Sequence, residues 1–357
     1  MALMVFAGTA GAASACTVTA ADRRPPPRPE GLPEPPELEA VGEVWPKVVF
    51  TLPTRLGKGP YVQPVAMLGR DEVLMVTPFE LPRFLTYDLR TKRHRVLATA
   101  PRWGGCSLCY EIRSVAVGRT RIAWTVGVYR SEPWNAGKRH VELWSMPRSG
   151  GPMRLVMWLT GHDDVPLDDA LVIDGDDAVW HDGNDSYRIS LTAARPRKTP
   201  ERPGSGPPAV PHPQADMPCG AEWCVRALPP RPYELTTLAV ERRDGSGRTT
   251  VAASSGGALI GDRFGLFGPP YVYDDGPVHI TMGGSESSAI LYDRCTGGSA
   301  WAGVRERPET EDGTGQDYEI TRGTWGPDDP ILFWQEPGGR RYTVLDLARI
   351  PDRPCGA

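Results

Sequence analysis

Downstream of residue 44 the chain is a succession of short apolar runs, each closed by a polar turn rich in Gly, Pro, Asp or Ser. Apolar positions alternate or bunch in fours and fives, and no long stripe recurs every three or four residues. This pattern predicts strands joined by tight turns, because a half-buried strand repeats every two residues and an amphipathic helix every 3.6. The strand–turn–strand segments also repeat. They read "LTYDLRTKRHRVLAT" around Tyr87, "VELWSMPRSGGPMRLVM" around Trp144, "SYRISLTAARPRKT" around Tyr187, "TTLAVERRDGSGRTTVA" around Val240, "AILYDRCTGGSAWAGV" around Tyr292 and "YTVLDLARI" around Leu345. Successive anchors fall 57, 43, 53, 52 and 53 residues apart. Six units of this length, each reading as a meander, predict an all-β chain folded as a six-bladed β-propeller of four-stranded antiparallel blades.

An earlier strand in most units ends in an aromatic residue: Trp124, Trp180, Trp223, Tyr273 and Trp334, with "EVLMVTP" in the first unit. Aromatic side chains at these positions are expected to fill the space between blades. The sixth unit runs out after "YTVLDLARI", while "WPKVVFTLPTR" (45–55) is a strand with no unit of its own. Pairing the two would close the ring and remove an exposed sheet edge.

The N-terminus follows a different pattern. Residues 1–15, "MALMVFAGTAGAASA", are apolar, small and uncharged, and too few to span a bilayer. They read as a signal segment, and the end "ASA" before Cys16 resembles the lipobox of bacterial lipoproteins. That resemblance implies a lipid on Cys16 and an extracytoplasmic protein anchored to the cell membrane; cleavage without lipidation would give a secreted one. Residues 16–42 hold seven prolines between 25 and 36, a composition that favours an extended, disordered tether over a core. The propeller then occupies 43–357.

Composition supports the all-β reading, since Gly and Pro together make 78 of 357 residues and both mark turns. The net charge of −4 argues against nucleic acid as a partner. Seven cysteines are present. With Cys16 set aside, the close spacings predict disulfides Cys106–Cys109 and Cys219–Cys224, leaving Cys295 with Cys355. A redox dithiol at 106–109, or a four-cysteine zinc site made with 219–224, is the alternative.

The turn-and-strand segments, most clearly "LWSMPRSGGPMRLV", resemble the repeat of the six-bladed TolB-like, WD40-like propeller superfamily over roughly residues 45–350. Members of that superfamily range from docking modules to lactone hydrolases, so the resemblance implies a fold and leaves the activity open. No Gly-x-Ser-x-Gly, His-Glu-x-x-His or P-loop pattern occurs. The acidic loop "GHDDVPLDD" offers Asp163, Asp164, Asp168 and Asp169 as oxygen ligands for a metal such as Ca²⁺. The neighbouring "DGDD" (174–177) reads instead as a hairpin turn. The sequence therefore points to a monomeric binding or scaffold module without a cofactor, touching the membrane only through its lipid and taking a protein or glycan partner. The alternative is a metal-assisted hydrolase using the acidic loop.

Overall fold

The computed structural model describes residues 31–77, 82–100, 110–128, 140–159, 171–182, 185–195, 197, 199–200, 219–220, 222–254, 259–272, 288–304, 320–323, 330–351 and 355. A four-residue helix, α1 (Val41–Val44), leads into strand β1 (Val49–Pro53). The first sheet follows as β2 (Gln63–Met67), β3 (Glu72–Val76), β4 (Arg83–Asp88) and β5 (His94–Thr99). The second is β6 (Tyr110–Val117), β7 (Arg121–Val128), β8 (His140–Pro147) and β9 (Arg154–Leu159). The third is β10 (Val172–Asp174), β11 (Asp177–Asp182), β12 (Asp185–Ser190) and β13 (Thr199–Pro200). The fourth is β14 (Trp223–Ala227), β15 (Thr237–Arg242) and β16 (Thr249–Ala252). The fifth is β17 (Leu259–Ile260), β18 (Phe264–Phe267), β19 (Ser288–Asp293) and β20 (Gly298–Gly303). The chain ends with β21 (Thr321–Arg322), β22 (Ile331–Gln335) and β23 (Arg341–Asp346).

Each sheet is an antiparallel meander, and β1 completes the sixth by pairing with β23, Val49 opposite Leu345 and Pro53 opposite Arg341. The molecule is a six-bladed β-propeller closed by its own N-terminal strand. All six sequence anchors lie on the third strand of their blade: Tyr87 on β4, Trp144 on β8, Tyr187 on β12, Val240 on β15, Tyr292 on β19 and Leu345 on β23. The fourth blade counts the same way because, among the described residues, a bridge between Cys219 and Cys224 stands inside β14. One assignment shifts: the second strand of the fifth blade is Phe264–Phe267, and Tyr273 lies outside the described residues. "FGLF" is only four residues long and is interrupted by Gly265, so its apolar signal is weak. Packing also begins before residue 43, since Ala40 bridges Trp301 and Val41 is buried.

The turns have a common local cause. A residue at the end of the third strand turns its side chain back onto the backbone, the Asx-type geometry that Asp and Ser favour. Asp88 accepts the N–H groups of Arg90 and Thr91 at 2.8 Å, Ser190 those of Thr192 and Ala193, and Asp293 that of Cys295. These bonds, the one from Thr91 foremost, hold the Asp88 carboxyl below the usual carboxylate range.

Apolar seams join the blades. Phe84 of the first packs on the fully buried Trp124 of the second at 4.5 Å between ring centroids. Trp180 fills the second seam with Leu143 and Ile189; Trp223, Phe267 and Tyr292 fill the one between the fourth and fifth blades. Trp334 and Leu345 pack against Phe264 and Leu291 of the fifth blade, and Met75 and Tyr87 of the first against Phe333 and Tyr342 of the sixth. Gly323 belongs to the last seam: a Cβ there would stand 2.0 Å from the Val65 carbonyl oxygen, so only glycine allows the two inner strands to approach.

Among the described residues no apolar cluster joins the third and fourth blades. With Ala178 and Trp180 turned toward the second blade, the cross-strand pair Val179 and Arg188 faces the fourth. With Trp223 and Val225 turned toward the fifth blade, the pair Cys224 and Glu241 faces the third. Both facing sides are charged. Arg188 pairs with Asp174 at 2.8 Å and Asp177 at 3.2 Å; Glu241 pairs with Arg226 at 3.1 Å and Arg248 at 3.6 Å.

Candidate functional site

In a meander the connections from first to second and third to fourth strand emerge at one face, and the remaining connections at the other. The first face of this propeller is built mostly of short turns: 68–71, 89–93, 118–120, 148–153, 175–176, 220–222, 243–248, 261–263 and 294–297. Hydrogen bonds tie these turns across blades, as from the Thr120 hydroxyl to Asp176 at 2.8 Å and from the Glu222 N–H to Asp262 at 3.1 Å. At the opposite face lie the strand ends that border the longer connections 129–139, 160–171, 201–218, 268–287 and 304–320, most of whose residues are outside the described ones.

The acidic loop with Asp163, Asp164, Asp168 and Asp169 falls in one of those longer connections and lies outside the described residues, as do Cys16, Cys106 and Cys109. The "DGDD" segment is described and forms a two-residue hairpin turn with Gly175 at φ 63°. Its carboxylates are engaged, Asp174 and Asp177 by Arg188 and Asp176 by Thr120. Among the described residues no three His, Cys, Asp or Glu side chains converge as metal ligands. Among the described residues two disulfides are present, Cys219–Cys224 with Cα atoms 3.9 Å apart and Cys295–Cys355 with 4.1 Å. Both belong in an oxidising, extracytoplasmic setting. Among the described residues no helix is long and apolar enough to cross a membrane.

Two clefts open on the short-turn face. The first, about 530 Å³, lies between the Trp45–Val48 segment and the Arg349–Pro351 segment, with Thr296 and Ser299 on its wall. Its arginines are neutralised. Arg263 makes a two-pronged pair with Asp293, 3.1 Å at each prong, and Asp293 is fully buried. Arg263 also donates to the carbonyls of Ile350 and Pro351, so it fastens the chain beyond the last strand to the fifth blade, where Cys295–Cys355 adds a covalent tie. Arg349 pairs with the buried Asp346 at 2.9 Å. This cleft reads as a fastening with a hollow in it.

The second cleft, about 430 Å³, lies between the first and second blades and is lined by Arg95, Arg119, Arg148, Glu72, Thr86 and Ser149, with Leu68 and Thr120. Here positive charge exceeds negative. Arg148 donates to the carbonyls of Leu68 and Gly118 at 2.7 Å each, and Arg95 to that of Ser149 at 3.3 Å. Elsewhere on this face Arg294 lies over the Trp223 ring at 4.0 Å, and desolvation lowers its pKa. Residue-by-residue reading of the sequence passed over both clefts. The repeated Tyr-Asp-x-x-Thr of 87–91 and 292–296 was the available signal for the Asp88 and Asp293 turns. The convergence of Arg95, Arg119 and Arg148 comes from three separate turns and leaves no local motif.

No protein-family profile and no curated protein matches this sequence. Solved structures with a similar course include an oligogalacturonate lyase in complex with manganese, at 10% identity over 77% of this chain and 73% of that one, TM-score 0.35. The β-propeller domain of the Trilobed protease from Pyrococcus furiosus matches at 11% identity over 80% and 78%, TM-score 0.32. The Cps50 (Swd1) β-propeller domain of Myceliophteria thermophila matches at 10% identity over 80% and 99%, TM-score 0.33. The assignment of the fold rests on this chain's own six sheets.

Proposed function

We propose that the protein is an exported binding module, held to a membrane by a lipid on Cys16, that presents its longer connections to a protein or glycan partner. One observation carries this reading: the chain enters the propeller on the face opposite those connections. β1 starts beside Leu345, at the short-turn end of β23. Ala40 bridges Trp301 in the parallel sense, which puts the upstream chain toward the Gly298 end of β20, again the short-turn end. A tether leaving there would hold the short-turn face toward its anchor and turn the longer connections outward, where propellers and other scaffolds carry variable recognition loops.

Detergent phase partitioning of wild type and Cys16→Ala tests the anchor, with wild type expected in the detergent phase and the variant in the aqueous phase. Both proteins remaining aqueous after verified export would overturn it. Orientation is tested on intact cells with photo-cross-linkers at Tyr233, between β14 and β15, and at Lys92 on the short-turn face. A specific protein or glycan adduct is expected from Tyr233 alone; the same adduct from Lys92 alone would reverse the assignment of faces.

A further inference from the structure

We propose that the cleft between the first and second blades is a binding site for a phosphate-type oxyanion. Its floor is preorganised. Arg148 bridges the two blades through the Leu68 and Gly118 carbonyls, which fixes its guanidinium while leaving N–H groups unspent among the described residues. Arg95 is positioned by the Ser149 carbonyl and stands 3.9 Å from Glu72, a loose pair between side chains that are 60% and 43% exposed. Such a pair contributes little and yields readily to a better anion. Arg119 lines the same cleft, is exposed, and makes no side-chain hydrogen bond or ion pair among the described residues.

Three guanidinium groups around one hollow, opposed by one carboxylate, match the planar two-pronged recognition that arginine gives a phosphate. The volume of about 430 Å³ exceeds what a bare phosphate occupies and admits a small group esterified to it. Charge on the surrounding turns points the same way. Residues 70–72, 88–95, 119–121 and 148–154 hold nine Arg or Lys and three Asp or Glu, in a chain whose net charge is −4. A local excess of this kind concentrates anions at the face that carries it.

The phosphate comes either from a lipid headgroup or from solution. The first source rests on the tethered reading above, which turns this face toward the membrane; the site itself does not depend on it. The test therefore uses the full chain carrying Cys16→Ala, which removes the lipid from consideration. It is titrated with inorganic phosphate by calorimetry, and separately with phosphatidylglycerol–phosphatidylcholine vesicles against phosphatidylcholine alone. Arg95→Glu and Arg119→Glu are placed in the same background; both side chains are solvent-facing, and an unchanged melting temperature verifies their fold. Each variant is expected to weaken binding at least about tenfold, the loss of one charge-assisted contact. Binding of phosphate with no vesicle binding, weakened by the variants, assigns the soluble source. Vesicle binding that needs phosphatidylglycerol and is weakened by the variants assigns the headgroup. Binding of neither probe, or binding that both variants retain, overturns the site.

Discussion

At the scale of single residues, the strongest dependence falls on Asp293. Its carboxylate is buried, caps a turn, and holds Arg263 against the carbonyls of Ile350 and Pro351. Asp293→Ala leaves a guanidinium that is only 13% exposed without its counter-charge, and breaking a buried pair from one side costs about 3–5 kcal/mol. Asp293→Asn keeps an acceptor for the turn and is expected to cost less. Urea unfolding of the two variants checks the order; equal and small losses would mean that Arg263 finds water in place of its partner. Buried Tyr342 behaves differently. Desolvation and its hydrogen bond to Tyr61 push its hydroxyl far above the usual tyrosine range, so it stays protonated and packed.

Elements depend on how they are tied. Cys295–Cys355 closes a loop of 60 residues and Cys219–Cys224 one of 5. In the loop-entropy account these are worth about 4 and about 2 kcal/mol respectively. Cys295→Ser with Cys355→Ser should therefore lower the melting temperature more than the Cys219, Cys224 double variant, a difference that calorimetry at matched pH resolves. The reverse order would mean that the short link, which ties Cys219 to the second strand of the fourth blade, carries more than chain entropy. Much at this scale was legible. The period near 53 residues placed six anchors on six third strands because one aromatic or aliphatic residue per unit must face a neighbouring blade, a constraint local enough to leave a sequence trace. The second strand of the fifth blade was not legible, because "FGLF" offers only four residues and Gly265 interrupts them. Nor was the charged meeting of the third and fourth blades. Whether Arg188 and Glu241 point to solvent or to another blade depends on strand parity across two sheets, which no local window contains. The arginine cleft was hidden for the same reason.

For the whole molecule, closure by β1 is the decisive feature. Deleting residues 43–55 removes the outer strand of the sixth blade, bares the edge of β23 and withdraws Leu52 from the core beside Phe333 and Tyr342. The deleted form is expected to aggregate, as an exposed flat edge does; light scattering and size-exclusion chromatography check this, and a monomer with an unchanged melting temperature would show the latch to be dispensable. The same latch has a meaning in time. Val49 is made about 300 residues before its partner Leu345, so β1 must wait, unpaired, until β23 has emerged from the ribosome or translocation pore. Contacts this distant in sequence are slow to form. A nascent or prematurely terminated chain would thus display an open β-edge at both ends of its array of blades, a ready mark for a protease or chaperone, and the mark disappears only when β23 has been made.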